Sequence, residues 1–307
     1  MASSACCSSS LALLAALAAA SGAEAQSSHL TRLELAAPAI APDPVSALAV
    51  GGWTSAWLAP AAGGDVTGAL VGLEHSGFAS MTTALAAVRL HAGPVWQLSF
   101  AQSRVTDLFD DALLAQFPEL STLRAAATHL GLDAALPLRY GAAVALGARY
   151  ERDEFLGDAA TIWLARLSAT GPTVLGVKSA ATVERVIAGG TSDKGPGRVR
   201  VGLAREFGTN RLGFTLGLGA LFGDVWSVES GQSRVAGSIR VSLLKLVTLS
   251  GALGAERDPF GAAPGWLGFA AFGLGLRLGP AGADLRRGDV GASDALPTAV
   301  SLVYQPN

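Results

Sequence analysis

The most constraining feature of this sequence is an alternation of period two that recurs along most of its length. Leu212, Phe214, Leu216 and Leu218 are large and apolar, whereas Gly213, Thr215, Gly217 and Gly219 between them are small. Tyr140, Ala142, Val144, Leu146, Ala148 and Tyr150 alternate in the same way with Gly141, Ala143, Ala145, Gly147 and Arg149. Val235, Ile239, Val241 and Leu243 face Ala236, Ser238, Arg240 and Ser242, and Trp96, Leu98 and Phe100 face Gln97, Ser99 and Ala101. Neighbouring side chains of an extended strand point to opposite sides, so the pattern predicts strands with one greasy face and one small or polar face.

Two further observations decide what the greasy face meets. Half of the residues are hydrophobic, only 15% are charged, and mean hydropathy is +0.41, against about a quarter charged in ordinary soluble domains. The apolar run Leu11–Ala20 followed by Ala23-Glu24-Ala25 has the form of a cleaved export signal, with the cut expected before Gln26. Beyond it there is no cysteine, so disulfides cannot hold the exported chain. No segment after the signal approaches the roughly 18 apolar residues of a spanning helix; the longest candidate, Gly265–Leu276, is glycine-rich and ends at Arg277. A chain that must satisfy its backbone in a bilayer without such helices has one alternative, a closed β-barrel. A net charge of −2 excludes an electrostatic nucleic-acid binder.

The expected fold is therefore all-β: a transmembrane antiparallel barrel of about 14 strands (range ~12–16). The expected strands are 48–59, 64–74, 79–91, 94–105, 120–136, 138–151, 158–169, 172–187, 196–207, 210–222, 232–243, 246–257, 265–279 and 296–304. Residues 1–25 form the signal, 26–47 an extended leader and possible plug, and 48–307 the barrel. Links 188–195, 223–231 and 280–295 read as loops. Tyr140 and Tyr150 share a face ten residues apart, about 33 Å along a strand, or roughly 25 Å when tilted, which matches the apolar band of such barrels. Tyr140, Tyr150, Phe222 and Trp266 are accordingly expected in aromatic girdles. Thr106–Phe117 breaks the pattern: Thr106 can cap, Asp107, Asp110 and Asp111 suit a helix N-terminus, and Phe109, Leu113 and Phe117 form a stripe. A short helix is expected there, resting on the rim as a loop element or serving as a lid or docking element.

Charged residues on the lumen phase are the candidate functional set: Arg89, Arg149, Glu151, Arg200, Arg240, Glu256 and Arg277. They make either a wall that prefers anionic solutes or an arginine–glutamate network that carries nothing. No catalytic residue is expected, since phosphate-loop, nucleophile-elbow and His-Glu-x-x-His motifs are absent. His129 shares a phase with Asp133, the one pairing that suggests barrel-borne hydrolysis. No metal site and no cofactor are expected.

The stretch Pro44-Val45-Ser46-Ala47-Leu48-Ala49-Val50-Gly51-Gly52, with Trp96-Gln97-Leu98-Ser99-Phe100 and the Leu108-Phe109-Asp110 segment, resembles the FadL-like outer-membrane barrels and their PorV-like relatives. Where those families continue with Asn-Pro-Ala, this chain has Leu58-Ala59-Pro60-Ala61-Ala62-Gly63, and Tyr304 is followed by Gln305-Pro306-Asn307. The resemblance implies a barrel in the outer membrane that passes hydrophobic or small solutes, or one with an accessory role in secretion. The expected function is a passive channel or transporter for small or amphipathic solutes; the alternative is a non-conducting barrel that serves secretion or anchors surface proteins. Expected partners are the lipid bilayer with lipopolysaccharide, the barrel-assembly machinery, and a small solute or exported protein.

Overall fold

The computed structural model describes residues 46–306 apart from 51, 65, 77–80, 106–110, 119–124, 156–157, 190–196, 210, 224–232, 258–265 and 289–297. Fourteen strands follow a short N-terminal helical segment: β1 (Gly68–Ser76), β2 (Met81–His91), β3 (Val95–Val105), β4 (Ala125–Pro137), β5 (Ala143–Phe155), β6 (Asp158–Thr170), β7 (Val177–Gly189), β8 (Gly197–Gly208), β9 (Leu212–Gly223), β10 (Ser233–Leu243), β11 (Val247–Arg257), β12 (Trp266–Leu278), β13 (Ala281–Gly288) and β14 (Thr298–Tyr304). Each pairs antiparallel with its sequence neighbours, and β14 closes onto β1 from Ala69↔Tyr304 to His75↔Thr298. Closure removes both sheet edges, so the ladder pairs the strand backbones without help from water.

The pleat sorts the side chains as the alternation requires. On β3, Val95, Gln97, Ser99 and Ala101 are buried inside, whereas Trp96, Leu98 and Phe100 are exposed outside. On β9 the exposed residues are Leu212, Phe214, Leu216, Leu218 and Phe222. A belt of exposed Leu, Val, Ile and Phe thus surrounds the barrel, an arrangement that is stable only against acyl chains. The links β2–β3, β4–β5, β6–β7, β8–β9, β10–β11 and β12–β13 are short and lie at one end, where β1 also begins and β14 ends. The links at the opposite end are mostly longer. In the three-residue β10–β11 link Leu244 (φ 53°) and Lys245 (φ 57°) are both left-handed, and the Leu246 amide closes the turn on the Leu243 carbonyl at 2.9 Å.

Thirteen of the expected strands coincide with observed ones; the fourteenth is replaced. Residues 48–59 do not form a strand. They hold helix α1 (Gly52–Leu58), which runs into a 3₁₀ turn (Pro60–Gly63) inside the barrel. The missing strand is supplied by β13, within a segment expected to be loop. Its outward positions, Ala281, Ala283, Leu285 and Arg287, include one large aliphatic, so alternation hardly marks it. Helix α2 (Asp111–Gln116) lies in the expected 106–117 segment. The signal 1–25, the leader up to residue 45, and Thr106, Asp107, Phe109 and Asp110 lie outside the described residues.

Candidate functional site: the plugged lumen

Helix α1 carries Trp53, Ala56, Trp57 and Leu58, all buried, as suits a helix enclosed by protein. Trp53 and Trp57, four residues apart, are 1% and 4% exposed. With Leu48, Ala49, Val50, Leu58 and Ala59 they pack against inward residues of the wall, including Leu70, Leu85, Ala87, Ala101 and Val303. The N-terminal approach is pinned by Ser55 Oγ, which donates to the carbonyl of Ala47 at 2.6 Å. Residues 46–50 and 52–64 therefore form a plug across the bore.

A helix ends with unpaired carbonyls and a partial negative charge. Here the barrel wall supplies the missing donors. Gln97 Nε2 donates to Ala56 O at 3.0 Å. Trp57 O accepts from Arg166 Nη1 at 2.9 Å and from Arg149 Nη2 at 3.2 Å. Thr182 Oγ1 reaches Leu58 O at 3.4 Å. Arg89 Nη2 spans Pro60 O (3.0 Å) and Gly64 O (2.8 Å), and its Nη1 donates to Gln97 Oε1 at 3.0 Å. Ser168 Oγ accepts from the Ala61 amide at 3.2 Å. These contacts come from β2, β3, β5, β6 and β7. Toward β8 and β9 the plug meets glycines: a Cβ on Gly202 would lie 2.8 Å from Leu48 Cβ, and one on Gly217 would strike the Ser46 carbonyl.

The arginines that grip the plug are themselves neutralised. Arg166 clasps Asp133 through two nitrogens, Nε at 2.8 Å from Oδ1 and Nη2 on Oδ2. Glu184 bridges Arg149 (2.8 Å) and Arg200 (3.0 Å). His129 Nδ1 lies 3.3 Å from Glu151 Oε1, and its ring stacks on Trp57 with centroids 6.1 Å apart. All of these side chains are buried. Deleting one partner of such a network would strand another in a dry interior.

The seven sequence-selected lumen residues divide accordingly. Arg89 and Arg149 hold the plug. Glu151 pairs His129, and Arg200 pairs Glu184. Arg277 forms a two-point bridge with Asp284 (2.8 and 3.2 Å) near the short-turn end. Arg240 is partly accessible and makes no hydrogen bond or ion pair with the described residues. Glu256 sits in β11 opposite Arg234 and Leu267, its side chain outside the described set. Sequence reading missed Arg166, Glu184, Gln97, Ser168 and Thr182. The inward phase marks them all: Arg166, for instance, lies between the outward Ala165 and Leu167. The anion-attracting wall also needs revision over β2–β8, where the guanidinium groups are spent on carboxylates and backbone carbonyls.

Of the aromatic set, Tyr140 is not on a strand. It occupies the β4–β5 turn with φ 60° and 87% exposure, because β5 starts only at Ala143. Tyr150 is on β5, edge-on to Trp163 at 5.0 Å, and Phe222 and Trp266 are exposed at the long-loop end. His129 and Asp133 do share a face, but Asp133 belongs to Arg166 and His129 to Glu151.

Beneath the plug a cavity of about 560 Å³ opens toward the short turns. Ala49, Val50, Ala61, Val95, Ala135 and Ala143 give it apolar walls, and Lys178 and Glu206, paired at 3.0 Å, lie on its rim. On the β9–β11 side Thr215, Ser238, Arg240, Ser242, Thr248 and Ser250 face inward and are partly accessible. Farther from the short turns, Ala236 is buried and Arg234 stacks on Phe269 at 3.7 Å.

No protein-family model matches the sequence, and no curated protein matches it. Among solved structures, the chain is similar to the outer membrane protein Omp33 of Acinetobacter baumannii, with 11% identity, TM-score 0.48, and coverage of 79% of this chain and 99% of that one. It is similar also to the TodX deltaS2S3 mutant monoaromatic hydrocarbon channel, with 11% identity, TM-score 0.49, and coverage of 83% and 94%. At these identities the likeness is one of architecture. The closed sheet, apolar belt, and short-turn and long-loop ends make the chain itself an outer-membrane-type β-barrel that carries an internal plug.

Proposed function

We propose that the protein is a plugged outer-membrane channel or transporter for small or amphipathic solutes, with its short turns toward the periplasm. One observation carries this reading: strands β2, β3, β5, β6 and β7 hold the plug by side-chain hydrogen bonds, whereas on β8 and β9 it packs closely on Gly202 and Gly217. Gly202, Gly217 and the hydroxyl-lined wall of β9–β11 form a smooth face past which the plug can shift, while Arg89, Arg149 and Arg166 keep its far end anchored. Assembly into the membrane would fall to the barrel-assembly machinery, as for other chains of this architecture. Planar-bilayer recording on the pure protein tests the proposal. The wild type should give small or intermittent currents. Trp57→Ala, which removes one of the two largest groups between plug and wall, should raise the conductance several-fold.

The extent of the plug's bonding favours a second reading, a non-conducting barrel that anchors or assists exported proteins. Silence from both the wild type and Trp57→Ala, in a barrel shown to be inserted, would favour that reading over the first.

A further inference from the structure

The geometry points to an oxyanion-binding site at Arg240, on the inward face of β8–β11, built to hold the carboxylate of a small monoanionic organic acid. Glu206, Thr215, Arg240 and Ser250 are successive cross-strand partners on β8, β9, β10 and β11, all on the inward phase. At an interstrand spacing of about 4.8 Å, the Glu206 and Arg240 backbones are roughly 10 Å apart. Ser238 and Ser242 flank Arg240 along its own strand, and Ser242 Oγ lies 3.4 Å from Thr248 Oγ1. One guanidinium is thus ringed by hydroxyl groups on three strands, and it makes no hydrogen bond or ion pair with the described residues.

Charge decides the ligand class. The charges that act on Arg240 are those of Asp284, Arg277 and Glu206. Glu206 is matched by Lys178, and Asp284 by Arg277. The cluster therefore has one unmatched positive charge, at Arg240, which suits a monoanion. A planar carboxylate fits the fork of a guanidinium in a two-point contact, whereas a phosphate dianion would bring one negative charge more than Arg240 offsets. Glu206 also lines the cavity below the plug, whose apolar walls, Ala49, Val50, Ala61 and Val95, offer a surface for the acid's hydrocarbon part. Unlike the arginines of β2–β8, Arg240 touches neither plug nor network, so holding the plug does not account for it. This inference deepens the channel reading: it rests on that reading for the purpose of the site, but not for the site's existence.

Isothermal titration of the full-length protein in detergent micelles with sodium benzoate tests it without requiring conduction. Binding in the millimolar range is expected for one partly hydrated guanidinium. Arg240→Gln should weaken it about tenfold and Ser250→Ala about threefold, while Arg205→Gln, on the outer face at the same end, should leave it unchanged. Heat-modifiable gel mobility identifies variants that have kept the barrel. Benzoate binding lost in Arg240→Gln sustains the site even if no current is ever recorded, in which case the channel reading alone falls. Equal binding by the folded wild type and Arg240→Gln, no binding by the wild type, or tighter binding of inorganic phosphate than of benzoate would each overturn it.

Discussion

The two sides of the bore are built from the same strand geometry and do opposite things. On β2–β8 the inward residues include Arg89, Gln97, His129, Asp133, Arg149, Glu151, Arg166, Glu184 and Arg200, set among small ones such as Ala101, Ala145 and Gly202, and these long or charged groups are all buried. On β9–β11 the inward residues near the short turns are Gly213, Thr215, Ser238, Ser242, Thr248 and Ser250, with Arg240 among them, and they keep partial access to the lumen. The first side is a lock, where each charge is paid out to a carboxylate or to a carbonyl at the end of α1. The second is a lining. A barrel thus need not be uniformly a scaffold or uniformly a pore: residue size and charge on the inward phase assign these tasks strand by strand.

Substitutions that treat the sides differently can break this contrast. The largest effect is expected from Asp133→Ala, which leaves Arg166 buried without its counter-charge and should cost about 3–5 kcal/mol. Urea-driven unfolding in lipid vesicles measures it, and a cost below about 1 kcal/mol would show that the locked side is wet. Next comes the boundary with lipid. Leu253, 71% exposed near the middle of β11, should cost about 2–4 kcal/mol as Arg if that face meets acyl chains. A neutral result in the same assay would place the face in water. A subtler pair separates two depths of one strand. Gly217→Val drives a side chain into the Ser46 carbonyl and should cost about 1–3 kcal/mol. Gly213→Ala, where a Cβ would find its nearest neighbour at 3.7 Å, should stay within about 0.5 kcal/mol. Equal costs would mean that the plug does not press on β9.

Much of this was legible in the residues. Alternation placed thirteen strands because large apolar residues recur at alternate positions along most of them, a signal the membrane itself enforces. It failed at the ends for physical reasons. In 48–59 the run Leu-Ala-Val followed by two tryptophans reads as a greasy strand, yet the i, i+4 spacing of Trp53 and Trp57 is helical, and the segment is mostly apolar because protein surrounds it. In 281–288 the outward face carries mostly alanine and arginine, so nothing announces lipid. The lumen phase identified Arg89, Arg149, Glu151 and Arg200 as inward, but not their partners: that Trp57 O lies opposite Arg149 and Arg166 depends on where the plug stops. Arg240 shows the converse. Its phase is as plain as that of Arg200, and only the pairing of every charge around it sets it apart.

The contrast between lock and lining is tested most directly by thiol labelling. The two cysteines of the chain, Cys6 and Cys7, lie in the expected signal segment, so single cysteines can be introduced into an otherwise thiol-free barrel. With the protein in vesicles, Ser238→Cys and Ser242→Cys should react with a charged, water-soluble maleimide, whereas Ser168→Cys and Thr182→Cys should stay unreacted until urea opens the barrel. Comparable labelling at all four positions under native conditions would contradict the account, because it would mean that water reaches the plug's bonded side as freely as its smooth one.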